Sequence, residues 1–320
     1  MFNRYWREYT WFMQLVQFVL VFFISLTFFS VVALYLAPML TGVSIEQIQN
    51  ISESSSPQVR IGFLTFQGIA HLGMFTLSVA MFVYALHPRP LEYLNIKGAG
   101  KSDQWLWVGV LALATIPVIS GLASLIDMIP LSDSLEKSKE TFEAQQNGIL
   151  NLTTVPEYIS AIIVMSILPA VGEELLFRGI MMRFASKKMV GSIFWPILLS
   201  SVFFAMIHGN VLGLIPILIA GMVLGYVYYL TGSLVLAMYA HWIVDFTQVS
   251  LVYFGRNNEQ ISKLSETNEM PMGLFAVGLI VFVLAFYMLW KNKTPLPKTW
   301  TNDFTTQELE EIEQEKRENY

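Results

Sequence analysis

Residues 11–37 hold no charged side chain, and seven more apolar stretches follow, at about 61–86, 105–126, 157–180, 192–208, 212–230, 233–254 and 271–290. Each is close to the roughly 20 residues a helix needs to cross a hydrocarbon layer about 30 Å thick. No water reaches the backbone there, so a spanning segment must satisfy its own amides, and only helices and closed barrels do so. Barrel strands are about 9–11 residues long, which these runs exceed. The expected fold is therefore all-α, a polytopic transmembrane helix bundle of about eight spans. With 54% hydrophobic and only 13% charged residues, the 320-residue chain is too apolar for a soluble domain.

The first apolar stretch follows Arg4 and Arg7 and is far longer than a signal-peptide core of about 7–15 residues, so it is expected to remain as an anchor. Threading eight spans in alternation puts Arg4, Arg7, Arg89, Lys97, Lys101, Arg183, Lys187, Lys188, Lys291, Lys293 and Lys298 on one side. Arg60, Lys137, Lys139, Arg256 and Lys263 fall on the other. Basic loops stay inside, so both termini are expected in the cytoplasm, with the plasma membrane as the expected location of this multi-pass protein. A net charge of −5 gives no nucleic-acid footprint, and no nucleic-acid partner is expected. The absence of cysteine removes disulfides, thiolate metal ligands and a cysteine nucleophile together.

Three segments are expected to serve as surroundings. Residues 38–60, with Ser52 and the run Ser54-Ser55-Ser56-Pro57, read as a polar outer loop. In residues 128–154, Ser134 is placed to cap a short amphipathic helix bearing Leu135 and Phe142, a solvated lid or spacer. The tail from Thr301 holds seven acids, with Thr305 and Glu308 spaced as a capping box, and reads as solvated. The chain divides into N-terminal spans with outer loops (1–154), a core of helices carrying the polar motifs (155–255), and a last span with an acidic tail (256–320).

The chemistry is concentrated in the apolar segments. Gly172-Glu173-Glu174-Leu175-Leu176-Phe177-Arg178-Gly179 places three charges within six residues, although one charge at mid-bilayer costs about 2.5–3.5 kcal/mol on insertion scales. On a helix Glu174 and Arg178 stand at i, i+4 with the acid first, the favourable order for an ion pair. Glu173 points about 100° away and is left for other work. Phe204 and His208 share one face at i, i+4, as do His241 and Asp245. A single membrane histidine or aspartate can simply bond a neighbouring helix. Several buried ionisable groups together need mutual partners and mark a pathway or a reaction centre. His71 has no such companion and reads as a packed or interhelical-bonding histidine. Glu173 and His208 are equally far from a turn near Val190 and Gly191, so an antiparallel helix pair brings them level. His241 lies at a different nominal depth, which a buried Gly209-Asn210 turn or tilted helices would reconcile.

The patterns EExxxR, FxxxH and HxxxD, in that order on three apolar helices, resemble the CAAX protease and bacteriocin-processing (CPBP or Abi) family of integral membrane endopeptidases. The resemblance covers residues 155–255. It implies an all-helical intramembrane endopeptidase acting on a peptide or membrane-protein substrate. It further implies that Glu173 with His208 activates water, that Glu174 and Arg178 support the site, and that His241 with the following motif residue stabilises the oxyanion, with Phe204 a further candidate site residue. The family often has asparagine where this chain has Asp245. An ionised aspartate cannot donate to an oxyanion, so Asp245 must be protonated, orient His241 or assist a metal. Glu173, His208 and His241 could ligate a divalent metal such as zinc with one open position, although HExxH is absent. Glutamate-dependent hydrolysis without metal is the other option. GxSG and GxGD motifs are absent as well. An ion- or proton-coupled transporter and a non-catalytic membrane scaffold are the readings from other classes, and oligomeric state is not readable.

Overall fold

Long apolar helices with polar caps build the whole molecule, seen in a computed structural model that describes residues 6–96, 100–189, 191–256, 258, 270–305, 307–311 and 314. Arg4, Lys97, Val190, Lys263 and, in the tail, Glu313, Glu315 and Glu318 lie outside the described residues. The long helices are α1 (Trp11–Thr41), α2 (Pro57–Leu86), α3 (Ser102–Asp127), α4 (Asp133–Leu150), α5 (Val155–Lys188), α6 (Phe194–Ile207), α7 (Leu214–Thr231), α8 (Leu234–Gly255) and α9 (Met272–Lys291). Seven of them are long and apolar enough to cross a membrane. The apolar α6 has only 14 residues, about 21 Å at helical rise, and completes the eight expected segments as a short one. Among the described residues there is no β-strand.

Local sequence sets the helix starts. Ser56 accepts from the Val59 amide with Pro57 at the first helical position of α2. Thr154 and Glu157 form a reciprocal capping box at the head of α5. Ser233 caps α8 directly after Gly232, whose φ of 64° ends α7 in the left-handed region. The solvated helix α4 starts from Ser132 rather than from Ser134 as the sequence reading expected. Asp133 and Glu136 in its first turn suit the positive end of the helix dipole, and Ser134 falls inside the helix.

Helices α1 and α9 expose Phe23, Ile24, Phe28, Ile280 and Val283, as lipid-facing surfaces do. Apolar surface gains little by leaving lipid for protein, so close packing holds the bundle together. Gly221 and Gly225 on α7 allow this. A Cβ at Gly225 would stand 2.9 Å from Ile197, and one at Gly221 would stand 3.2 Å from Phe204, both on α6. The buried core runs through Phe82, Phe177, Phe184, Phe204 and Tyr228.

The two ends of the chain meet on one face. Asp303 receives Lys187 Nζ at 2.7 Å and Gln14 Nε2 at 3.1 Å, while Arg7 bonds Glu308 at 3.1 Å and the Asp303 carbonyl at 3.2 Å. Termini on the same face require an even number of crossings, as eight segments give. The start of the tail expected to be solvated is docked, as Asn302 and Asp303 bond Arg183 and Lys187, and so is the segment before it. Thr294 and Leu296 donate to the Leu230 and Tyr229 carbonyls, and Trp300 packs against the core. The Thr305 and Glu308 box forms as spaced. The opposite face gathers Arg60, Lys139 and Arg256. Arg60 is buried against Glu157, with Nε 2.5 Å from Oε1.

Candidate active site

Two glutamates adjacent in sequence face different helices. In α5 the regular helix runs through Glu174, and a π-helical segment, Leu175–Met181, follows. Such segments add a residue to a turn and recur at functional sites. Glu174 points toward α7 and α8. Its Oε1 accepts from Arg178 Nη1 at 2.6 Å and lies 2.9 Å from His241 Nδ1. Arg178 also donates through Nη2 to the Gly221 carbonyl at 2.6 Å. Both Glu174 and Arg178 are fully buried, so the pair predicted from spacing is an interior one that ties α5 to α7.

Glu173 turns to α2. Its Oε1 lies 3.3 Å from Nε2 of His71, and its buried Oε2 has no hydrogen-bond partner among the described residues. The sequence reading took His71 for a packed or interhelical-bonding histidine outside the motifs, and it does bond across helices, with Glu173 as the partner. Only Phe75 stands at i+4 from His71, and no ionisable companion lies nearby in sequence, because its polar partner is 102 positions away in the chain. The only local signal is an ionisable side chain in an apolar span.

Phe204 is the ring around which the motifs assemble. Its centroid lies 4.9 Å from the Arg178 guanidinium carbon, 4.7 Å from the His208 ring, 5.8 Å from the His241 ring and 5.2 Å from Phe177. His208 follows the last turn of α6 and is exposed. Its Nδ1 lies 2.7 Å from the Phe204 carbonyl. A carbonyl only accepts, so Nδ1 carries the hydrogen, and the neutral ring presents Nε2 as an acceptor. His208 interacts electrostatically with Glu173 and Asp245 without bonding either.

His241 stands between two carboxylates, with Nε2 3.2 Å from Asp245 Oδ2. The nominal depths that did not agree in sequence agree here, because the short α6 ends beside the site and the rings of His208 and His241 both lie on Phe204. The Gly209-Asn210 turn is not buried in protein as one reconciliation required, since Gly209 is exposed with a φ of 64°.

Among the described residues no three His, Asp or Glu side chains are grouped to hold a metal ion. The zinc set that the sequence allowed, Glu173, His208 and His241, is not grouped here, since both nitrogens of His241 face carboxylates, although His208, held through Nδ1 on a carbonyl, keeps Nε2 open. The donor set as built does not fit a metal.

Residues 155–247 match the family model described as Type II CAAX prenyl endopeptidase Rce1-like. The matched span carries Glu173, Glu174, Arg178, Phe204, His208, His241 and Asp245, and the match agrees with the family that the three motifs resemble. Comparison with curated proteins and with solved structures gives no match.

Proposed function

We propose, from the match of residues 155–247 to CAAX prenyl endopeptidases, that this chain is an intramembrane endopeptidase cleaving CAAX-type or related peptides with water activated at Glu173. The observation that carries the reading is the meeting of all three motifs around Phe204, beside a glutamate that keeps one buried carboxylate oxygen without a partner. A general base needs such a free oxygen within reach of the water it deprotonates.

In this reading a water molecule bonds between Glu173 Oε2 and the acceptor Nε2 of His208. Its oxygen attacks the scissile carbonyl carbon while Glu173 takes a proton. The tetrahedral intermediate then collapses, the C–N bond breaks, and the proton passes to the leaving nitrogen, giving a new carboxylate and a new amine. The oxyanion needs a donor, and Nε2 of His241 can supply one by turning from Asp245. Asp245 holds that nitrogen in the resting site, and Glu174 with Arg178 fixes the other side of the ring. No step is routed through a metal.

The orientation belongs to the same proposal. The terminal face carries the larger basic set and is assigned to the cytoplasm. The test of function is cleavage of quenched peptides ending in CAAX, with and without a prenyl group, by purified protein. Cleavage of neither peptide, together with proton-coupled flux in liposomes, would favour the transporter reading.

A further inference from the structure

We infer that His71, on α2 and outside the matched span, is a positioning residue that holds Glu173 through Oε1 and directs Oε2 to the water. The inference rests on the protease reading above and names a residue that none of the three motifs contains.

Several observations converge on this pair. Nε2 of His71 lies 3.3 Å from Glu173 Oε1, and both side chains are about nine-tenths buried. The other ring nitrogen, Nδ1, is buried with no partner among the described residues. A charged ring would leave an orphaned N–H there, which is costlier than an orphaned lone pair. A hydrogen on Nε2 avoids that orphan and lets the ring donate to the Glu173 carboxylate.

The backbone around the pair is arranged for close approach. Gly172 faces α2, where a Cβ would stand 2.8 Å from Phe75 Cβ, 2.9 Å from Thr76 Oγ1 and 3.2 Å from His71 Cε1. Any other residue beside Glu173 would push the two helices apart. On α2 a π-helical segment, Leu72–Leu77, begins directly after His71. Its Gly73 carbonyl accepts from the Ser78 amide within the widened turn and also from Ser25 Oγ of α1 at 2.6 Å, which ties the segment to α1. The His71 ring also packs on Phe75, with centroids 4.4 Å apart, which fixes its plane.

The role requires one donor at the place of Nε2, so His71→Gln should keep it and His71→Leu should not. Loss of one hydrogen bond to a charged group predicts a fall in kcat of about 10- to 100-fold for His71→Leu, with KM unchanged and largely restored kcat in His71→Gln. Wild-type kcat in folded His71→Leu overturns the role while the protease reading stands on wild-type cleavage. A wild-type protein that cleaves no peptide overturns that reading, and the positioning role with it. A measurement independent of activity then tests the pair itself. The chain has 4 histidines. Imidazole 15N spectra of histidine-labelled protein, assigned by the signal lost in His71→Gln, should show hydrogen on Nε2 and a shift of that signal in Glu173→Gln. A His71 signal indifferent to Glu173→Gln overturns the pairing.

Discussion

Arg178 Nη1 lies 2.6 Å from Glu174 Oε1, neither side chain meets solvent, and the same oxygen also faces His241 Nδ1 at 2.9 Å. Removing either member of the ion pair leaves a buried charge uncompensated. Glu174→Ala and Arg178→Ala should each lose about 3–5 kcal/mol of stability as well as activity, read by thermal unfolding in detergent. Arg178→Lys should recover only part, because one ammonium cannot replace the two guanidinium nitrogens that reach Glu174 and Gly221. Unchanged thermal stability in Arg178→Ala would contradict the bracing role.

Asp245 is the departure from the family pattern, and it accepts from His241 in the resting site. An asparagine can accept through its Oδ1 and can donate to an oxyanion at any pH. Asp245→Asn should therefore keep kcat/KM within about 10-fold of wild type, whereas Asp245→Ala should lose more than that. A folded but inactive Asp245→Asn would show that the carboxylate itself is required.

The meeting of Arg7 with Asp303 and Glu308 brings the two ends of the described chain to one face, which the orientation proposed above puts in the cytoplasm. The natural absence of cysteine allows single-site labelling without background. In sealed cells Glu140→Cys should label with an impermeant maleimide and Glu310→Cys should not. The reverse pattern would invert the topology.

His87, just beyond α2, reports on the docked tail. Its Nε2 faces the Asp303 carbonyl at 3.2 Å, and Nδ1 accepts from the Arg89 amide at 3.0 Å. Burial, with Arg7 and Arg183 nearby, holds its pKa below the usual histidine value of 6.5. The unfolded chain then binds a proton more readily than the folded one. This contribution to stability is complete above about pH 6.5 and is lost as pH falls toward the lowered folded value. His87→Gln should show a shallower loss of thermal stability between neutral and mildly acidic pH, with an unchanged slope contradicting the assignment.

What was legible in the sequence is what is local. Glu174 and Arg178 meet because i, i+4 neighbours share a helix face, and the Thr305–Glu308 box follows the same short-range logic. The eight apolar segments were legible because lipid demands length and apolarity. The partners of His71 and Arg60 were not, since they lie 102 and 97 positions away and depend on which helices become neighbours. Composition made the tail from Thr301 look solvated, yet Asp303 is tied down by Lys187 and Gln14, and Leu296 and Trp300 dock the segment just before it. The π-helical turns beside His71 and Glu174 leave no local mark in an apolar sequence.

The central claim is that Glu173 deprotonates the attacking water. Its most direct measurement is the turnover of a quenched CAAX peptide by detergent-purified wild type, Glu173→Gln and His208→Ala, each shown to be monodisperse. The account predicts cleavage by wild type and losses of about 10² to 10⁴ in kcat for both variants. Wild-type turnover by folded Glu173→Gln would contradict it.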